Sequence, residues 1–209
     1  MNELKNLLTH YPSLKICETS ITQTFQLLKS CYRNKCLIMV CGNGGSAADA
    51  EHIVGELMKG FKLKRPISHD QRLLLQSAFP ADAEYLSANL QQAIPAISLV
   101  SQTSFLTAFG NDVAHDMVFA QLVMGYGKPG DALIGLSTTG NSHNVVNACK
   151  VAKALDIRTI AFTGERESRL SEICDVTIRV PAQEVYRVQE LHQPIYHALC
   201  AMLEADAFE

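Results

Sequence analysis

Apolar residues in this chain gather into five short, near-continuous runs, at 36–41, 95–100, 131–136, 158–163 and 175–180. They are rich in Leu, Ile, Val and Ala and do not alternate with polar residues, which predicts strands of a parallel sheet covered on both faces. Stretches with helical spacing lie between them, at 46–61, 111–124, 141–155 and a short 166–172. Strands alternating with helices predict an α/β fold, a doubly wound five-stranded parallel sheet of flavodoxin-like type. Two helical pieces have no strand partner. Residues 14–33 carry Leu14, Ile16, Ile21, Phe25, Leu27 and Leu28, and residues 183–206 carry Leu191, Ile195, Leu199, Met202 and Leu203. These extra N- and C-terminal helices are expected to cover a sheet edge or build an oligomer contact within one domain over 1–209, its N-terminal helical part at 1–34.

Charge narrows the function classes. Lys plus Arg is 18 and Asp plus Glu is 21, a formal charge of -3, which gives no footprint for nucleic acid or for an anionic membrane surface. No apolar stretch approaches the ~18 residues that span a bilayer, and Met1-Asn2-Glu3-Leu4-Lys5 lacks the segments of a signal peptide. A soluble, cytoplasmic protein is expected. The seven cysteines, an odd count with no CxxC pair, read as reduced thiols serving mostly as small buried hydrophobes. The tract Lys59-Gly60-Phe61-Lys62-Leu63-Lys64-Arg65-Pro66 reads as a solvated helix end.

Ligands of open α/β sheets bind at the carboxyl ends of the strands, where helix N-termini present backbone N–H groups. Two loops there are polar and glycine-rich: Cys41-Gly42-Asn43-Gly44-Gly45-Ser46 after the first strand and Ser137-Thr138-Thr139-Gly140-Asn141-Ser142 after the third. The second offers four hydroxyls at the start of a helix, which suits a phosphate monoester. An N-cap alone would need only one such residue. The first loop formally matches G-x-G-x-x-A, but no strand ending in Asp or Glu follows some 20 residues on. A nicotinamide cofactor is therefore not expected. The chain also lacks G-x-x-x-x-G-K-[ST] and misses the G-x-S-x-G elbow by one position.

Beyond the first loop, His52 and Glu56 lie four residues apart on one helix face. They can share a metal ion, act as a base and its partner on a substrate, or form an ordinary surface pair. The C-terminal segment Gln189-Glu190-Leu191-His192-Gln193-Pro194-Ile195-Tyr196-His197 is unusually polar, with Pro194 expected to kink or break its helix. Either His192 or His197 is a candidate ligand or acid.

In combination these pieces resemble the sugar isomerase (SIS) domain family, and within it the phosphoheptose isomerases, from about Cys36 to His197. The resemblance rests on the two loops, His52-x-x-x-Glu56, Gly110-Asn111-Asp112 and Gln189-Glu190-Leu191-His192 with His197. It implies conversion of sedoheptulose 7-phosphate to D-glycero-D-manno-heptose 7-phosphate through an enediol, which needs a base over carbon and an acid near oxygen. By resemblance Glu56 is the base and His197 the acid. His52, Glu56, Gln189 and His197 hold a Zn2+ ion. Asn43, Gly44, Gly45, Asn111 and Asp112 contact the sugar, with Glu56 and Gln189 also facing it, and Ser46, Ser137, Thr138, Thr139 and Ser142 hold the phosphate. Gln189 and His197 are ~12 Å apart along a straight helix, so either the Pro194 region bends or a neighbouring subunit contributes. The family's homotetrameric habit favours the second.

The stretch from 67 to 94 is longer than the link this resemblance leads one to expect, and it includes Leu73-Leu74-Leu75 and a helix predicted over 81–92. Two other readings stand beside the isomerase. One is a non-enzymatic SIS scaffold similar to the bacterial factor that binds the replication initiator; the other is a protein that isomerises or senses a different sugar phosphate. A scaffold has no need of Glu56 together with His197.

Overall fold

The computed structural model describes residues 2–209. Its elements run α1 (Asn2–His10), α2 (Glu18–Arg33), β1 (Ile38–Cys41), α3 (Gly45–Met58), α4 (His69–Ala78), α5 (Ala83–Asn89) and β2 (Ala96–Ser98). They continue through α6 (Thr103–Phe109), α7 (Val118–Tyr126), β3 (Ala132–Leu136), α8 (His143–Ala154), β4 (Arg158–Thr163), α9 (Arg169–Ile173), β5 (Val176–Arg179) and α10 (Val185–Phe208). Every strand falls inside an apolar run. The sheet is parallel throughout in the order β2-β1-β3-β4-β5, the flavodoxin-like arrangement, whose ligand crevice lies between β1 and β3. The glycine-rich loop leaves β1 and the hydroxyl loop leaves β3, so both flank that crevice.

The absence of alternation in the strands has its cause in two cores. Ile38, Val40, Ile134, Ile160 and Ile178 pack with Leu14, Ile21, Leu28, Ile53, Leu57, Ile195 and Leu199 on the face covered by α1, α2, α3 and α10. Met39, Cys41, Leu133 and Ala161 pack with Phe119, Val123, Val145 and Cys149 on the face covered by α7 and α8. All seven cysteines are free thiols, and Cys17, Cys31, Cys41, Cys149 and Cys200 are buried, as small hydrophobes are.

Three expectations change. The single helix over 111–124 is split, because Ala114 is extended (φ -162°, ψ 122°) between a short turn at Gly110–Ala114 and α7. Pro194 does not break α10, which runs continuously for 24 residues through it. Helix α1 falls within the N-terminal helical part expected over 1–34, with Leu4, Leu7 and Leu8 at helical spacing. The basic tract is solvated only in part: Arg65 is 1% exposed. Its Nε donates to Glu204 Oε1 at 2.7 Å, and its two Nη groups donate to the carbonyls of Leu57 and Glu56. The same carboxylate accepts from the backbone N–H groups of Phe61, Lys62 and Leu63. A buried ion pair thus ties off the end of α3.

The 67–94 stretch forms a side excursion. Ser68 opens α4 with a reciprocal capping box to Gln71, and the helix predicted over 81–92 is the shorter α5. The base closes where Gln92 N–H donates to Arg65 O at 2.7 Å. Helix α4 buries none of its residues, leaving Leu74 70% exposed. No helix of the described residues is long and apolar enough to cross a membrane.

Candidate active site

Two clusters assemble on opposite ends of α3. At its N-terminus, the amides of Asn43 and Asn144 bond to each other in both directions at 2.9 Å, joining the β1 loop to the start of α8 across the crevice. A Cβ on Gly45 would lie 2.6 Å from Gln189 Nε2, so only glycine lets Gln189 of α10 press against this loop. Ser46 is buried beside them.

The hydroxyl loop is arranged around its own side chains. Ser137 Oγ and Ser142 Oγ share a hydrogen bond of 2.9 Å, and Asn141 N–H donates to Thr139 Oγ1. Gly140 turns the chain at φ +67°, where a side chain would also strike Ser168. Ser142 is the N-cap residue of α8, yet its side chain makes no capping hydrogen bond and pairs with Ser137 in the loop instead. That favours an anion site over plain capping. Thr138, Thr139 and Asn141 line a cavity of about 430 Å³ together with Arg166, Gln183 and Glu184.

Two turns along α3, the second cluster forms against α10. His52 Nε2 stands 3.2 Å from Glu56 Oε1 and 3.4 Å from His197 Nε2. Glu56 is largely covered, 13% exposed at its side chain, with Lys59 Nζ 3.3 Å from its other oxygen. Burial, then the neighbouring His52, push His197 below the ordinary histidine range, with Glu56 opposing them. His197 is accordingly neutral at pH 7. The Tyr196 hydroxyl donates to Asp49 Oδ1 and meets His52 Nδ1, each at 3.1 Å.

Gln189 does not join this second cluster. It lies beside Gly45 while His197 lies beside His52, and α10 is helical between them, a separation of ~12 Å. Asn111 and Asp112 are exposed and bond to each other at 2.9 Å; among the described residues no hydrogen bond links them to either loop. His192 is a core residue. Its Nε2–H donates to Thr163 O at 3.3 Å and its ring packs edge-on to Phe162. Burial pulls it down to about 4. A buried histidine with a lowered pKa stabilises the fold fully above its unfolded value of 6.5 and loses that contribution as pH falls toward about 4. Denaturation between pH 7 and 4 should therefore reveal up to about 3 kcal/mol of acid-linked loss that His192→Gln removes. An unchanged pH slope in the variant would contradict this.

The SIS domain profile matches residues 12–93 and 86–164. The chain belongs to the SIS domain family. It is 32% identical over 207 residues to the phosphoheptose isomerase of Akkermansia muciniphila, covering 99% of this chain and 96% of that protein. Against the phosphoheptose isomerase of a Nitratiruptor species it is 40% identical over 172 residues, 82% of this chain and 78% of the relative. Among solved structures, the phosphoheptose isomerase GmhA from Neisseria gonorrhoeae superposes with a TM-score of 0.72 at 30% identity, covering 96% and 98% of the two chains. A phosphoheptose isomerase from Francisella tularensis gives 0.74 at 26% identity over 98% and 100%.

Within this SIS chain the His52 cluster presents the donors of a cation site without the arrangement of one. Two imidazole nitrogens and a carboxylate oxygen are donor types that zinc takes, and lone pairs facing each other at 3.2 Å require a proton or a metal ion between them. Among the described residues no group of three or more His, Cys, Asp or Glu side chains is placed so that it could hold a metal ion. Sequence reading passed over Asp49, Tyr196, Asn144 and Arg166. Asp49 is detectable at three residues before His52, on the same helix face. Asn144 and Arg166 gave no signal, because only the fold brings them to the crevice.

Proposed function

We propose that this SIS protein interconverts sedoheptulose 7-phosphate and D-glycero-D-manno-heptose 7-phosphate. The convergence of His52, Glu56 and His197 on one helix end carries the reading, because a scaffold needs no such set; relatives matching along nearly the whole chain support it. The phosphate sits in the hydroxyl loop, held by Ser137, Thr138, Thr139 and Ser142 and by the N-terminal end of α8. Asn43, Gly44, Gly45 and Ser46, with Asn111 and Asp112, take the sugar hydroxyls. The Glu56 carboxylate removes the C1 proton of the ketose and returns it to C2 of the enediol. His197 moves the hydroxyl proton between O1 and O2. His52, Glu56 and His197 would hold a zinc ion, which when bound would supply charge stabilisation for the developing oxyanion.

Gln189 and the two loops stand apart from the His52 cluster within one chain, and we assign their union to a neighbouring copy in a homotetramer. An active protein that sediments as a monomer would contradict this. Sedoheptulose and its 7-phosphate offered side by side test the function. Conversion of the phosphate ester alone is expected; equal turnover of both would remove the hydroxyl loop from substrate binding, and turnover of neither would overturn the isomerase reading.

A further inference from the structure

The two amides that bridge the crevice have one orientation open to them. The N–H of Val145, in the first turn of α8, is one of the donors a helix leaves unpaired. It donates to Asn144 Oδ1 at 3.0 Å. A backbone N–H can only donate, so it fixes which end of the Asn144 amide is oxygen and which is nitrogen. Asn144 Oδ1 also accepts from Asn43 Nδ2, and Asn144 Nδ2 donates to Asn43 Oδ1, both at 2.9 Å. Turning the Asn43 amide over would set nitrogen against nitrogen and oxygen against oxygen.

Nothing else holds the Asn43 side chain. The residue is exposed, between buried Gly42 and Gly44 at φ +56°. Among the described residues its amide bonds to no group but Asn144. The backbone beneath it is tied separately, where the Asn43 carbonyl accepts from the Ser46 N–H at 3.0 Å. The pair uses one N–H and one lone pair of the Asn43 amide and leaves one of each for a ligand. A sugar hydroxyl both donates and accepts. An amide whose donor and acceptor sides are set in advance binds it without first losing the freedom to turn over.

We infer that Asn144 is a positioning residue: it passes the direction of the Val145 N–H to Asn43 and presets which side of that amide donates to the substrate's hydroxyls and which accepts. Asn144 acts through Asn43 alone. The preset amide is a property of the free chain; its effect on turnover rests on the isomerase reading above, which gives Asn43 to the sugar. Misplacing a group that orients substrate lowers turnover by up to ~100-fold.

Side-chain amide NMR of the substrate-free protein reads the pair without activity. The Asn43 and Asn144 amide protons should show a mutual NOE, and one Asn43 Nδ2 proton should exchange with water more slowly than its twin. In Asn144→Ala the two Asn43 protons should exchange alike. With sedoheptulose 7-phosphate, that variant should lose ~10- to 100-fold in kcat/KM, mostly through KM. Inhibition by inorganic phosphate, which needs only the hydroxyl loop, should stay as in the wild type. In an Asn43→Ala background the same substitution should bring no further loss, because the residue it acts through is gone. Penalties that multiply, or Asn43 protons that behave the same in wild type and variant, would overturn the inference. So would phosphate inhibition that weakens along with turnover, the mark of a merely structural role. Should the wild type convert no heptose phosphate, the isomerase reading falls, and the amide spectra alone decide whether Asn144 sets Asn43.

Discussion

Glu56→Gln should lower kcat for sedoheptulose 7-phosphate by ~10²- to 10⁴-fold, the range a positioned general base contributes. The substitution keeps the shape and the bond to Lys59 but removes the carboxylate that faces His52 Nε2. Glu56 sits at 13% side-chain exposure, shielded from water yet linked through its backbone carbonyl to Arg65, so its placement survives the change. Thermal unfolding should stay near wild type while KM changes little, since the hydroxyl loop and the β1 loop bind the rest of the substrate. A variant with kcat within a few-fold of wild type would assign the base elsewhere.

The second large effect concerns stability. Arg65 and Glu204 are 0% and 1% exposed at their side chains, and Glu204 accepts three backbone N–H groups besides. Burial raises the Glu204 carboxyl, but the Phe61 and Lys62 amides and the Arg65 guanidinium outweigh it and hold the group below the usual carboxylate range. Glu204→Ala leaves the buried Arg65 guanidinium without its carboxylate and three part-buried backbone N–H groups without their acceptor. Removing one partner of such a pair costs about 3–5 kcal/mol, which for a chain of this size lowers Tm by ~6–20 °C. Arg65 also caps the Leu57 and Glu56 carbonyls, so weakened substrate turnover should accompany the loss. The double variant Arg65→Met, Glu204→Leu should recover part of the stability, because apolar replacement of both partners is close to neutral. A single variant as stable as wild type would contradict the account.

The sheet was readable because its strands are buried on both faces and therefore lack alternation; pattern and topology then agree, and the two polar loops fall at the crevice the strand order dictates. The separation of Gln189 from His197 was also readable, since helical rise alone puts them ~12 Å apart. Pro194, expected to kink or break its helix, marks no break, since α10 runs through it. Arg65 misled: a charge in a basic tract looks solvated until the fold supplies Glu204 from 139 residues away. The long-range partners Asn144, Tyr196 and Arg166 have no local signature at all. His192 and His197 are five positions apart on one helix, and burial by Phe162 and Thr163 decides which is structural.

The most direct test of the isomerase account is an NMR time course of the purified wild-type protein with sedoheptulose 7-phosphate, run with and without added zinc. The account expects the aldose D-glycero-D-manno-heptose 7-phosphate to appear and to approach a fixed ratio with the ketose from either side. No aldose under either metal condition would contradict it.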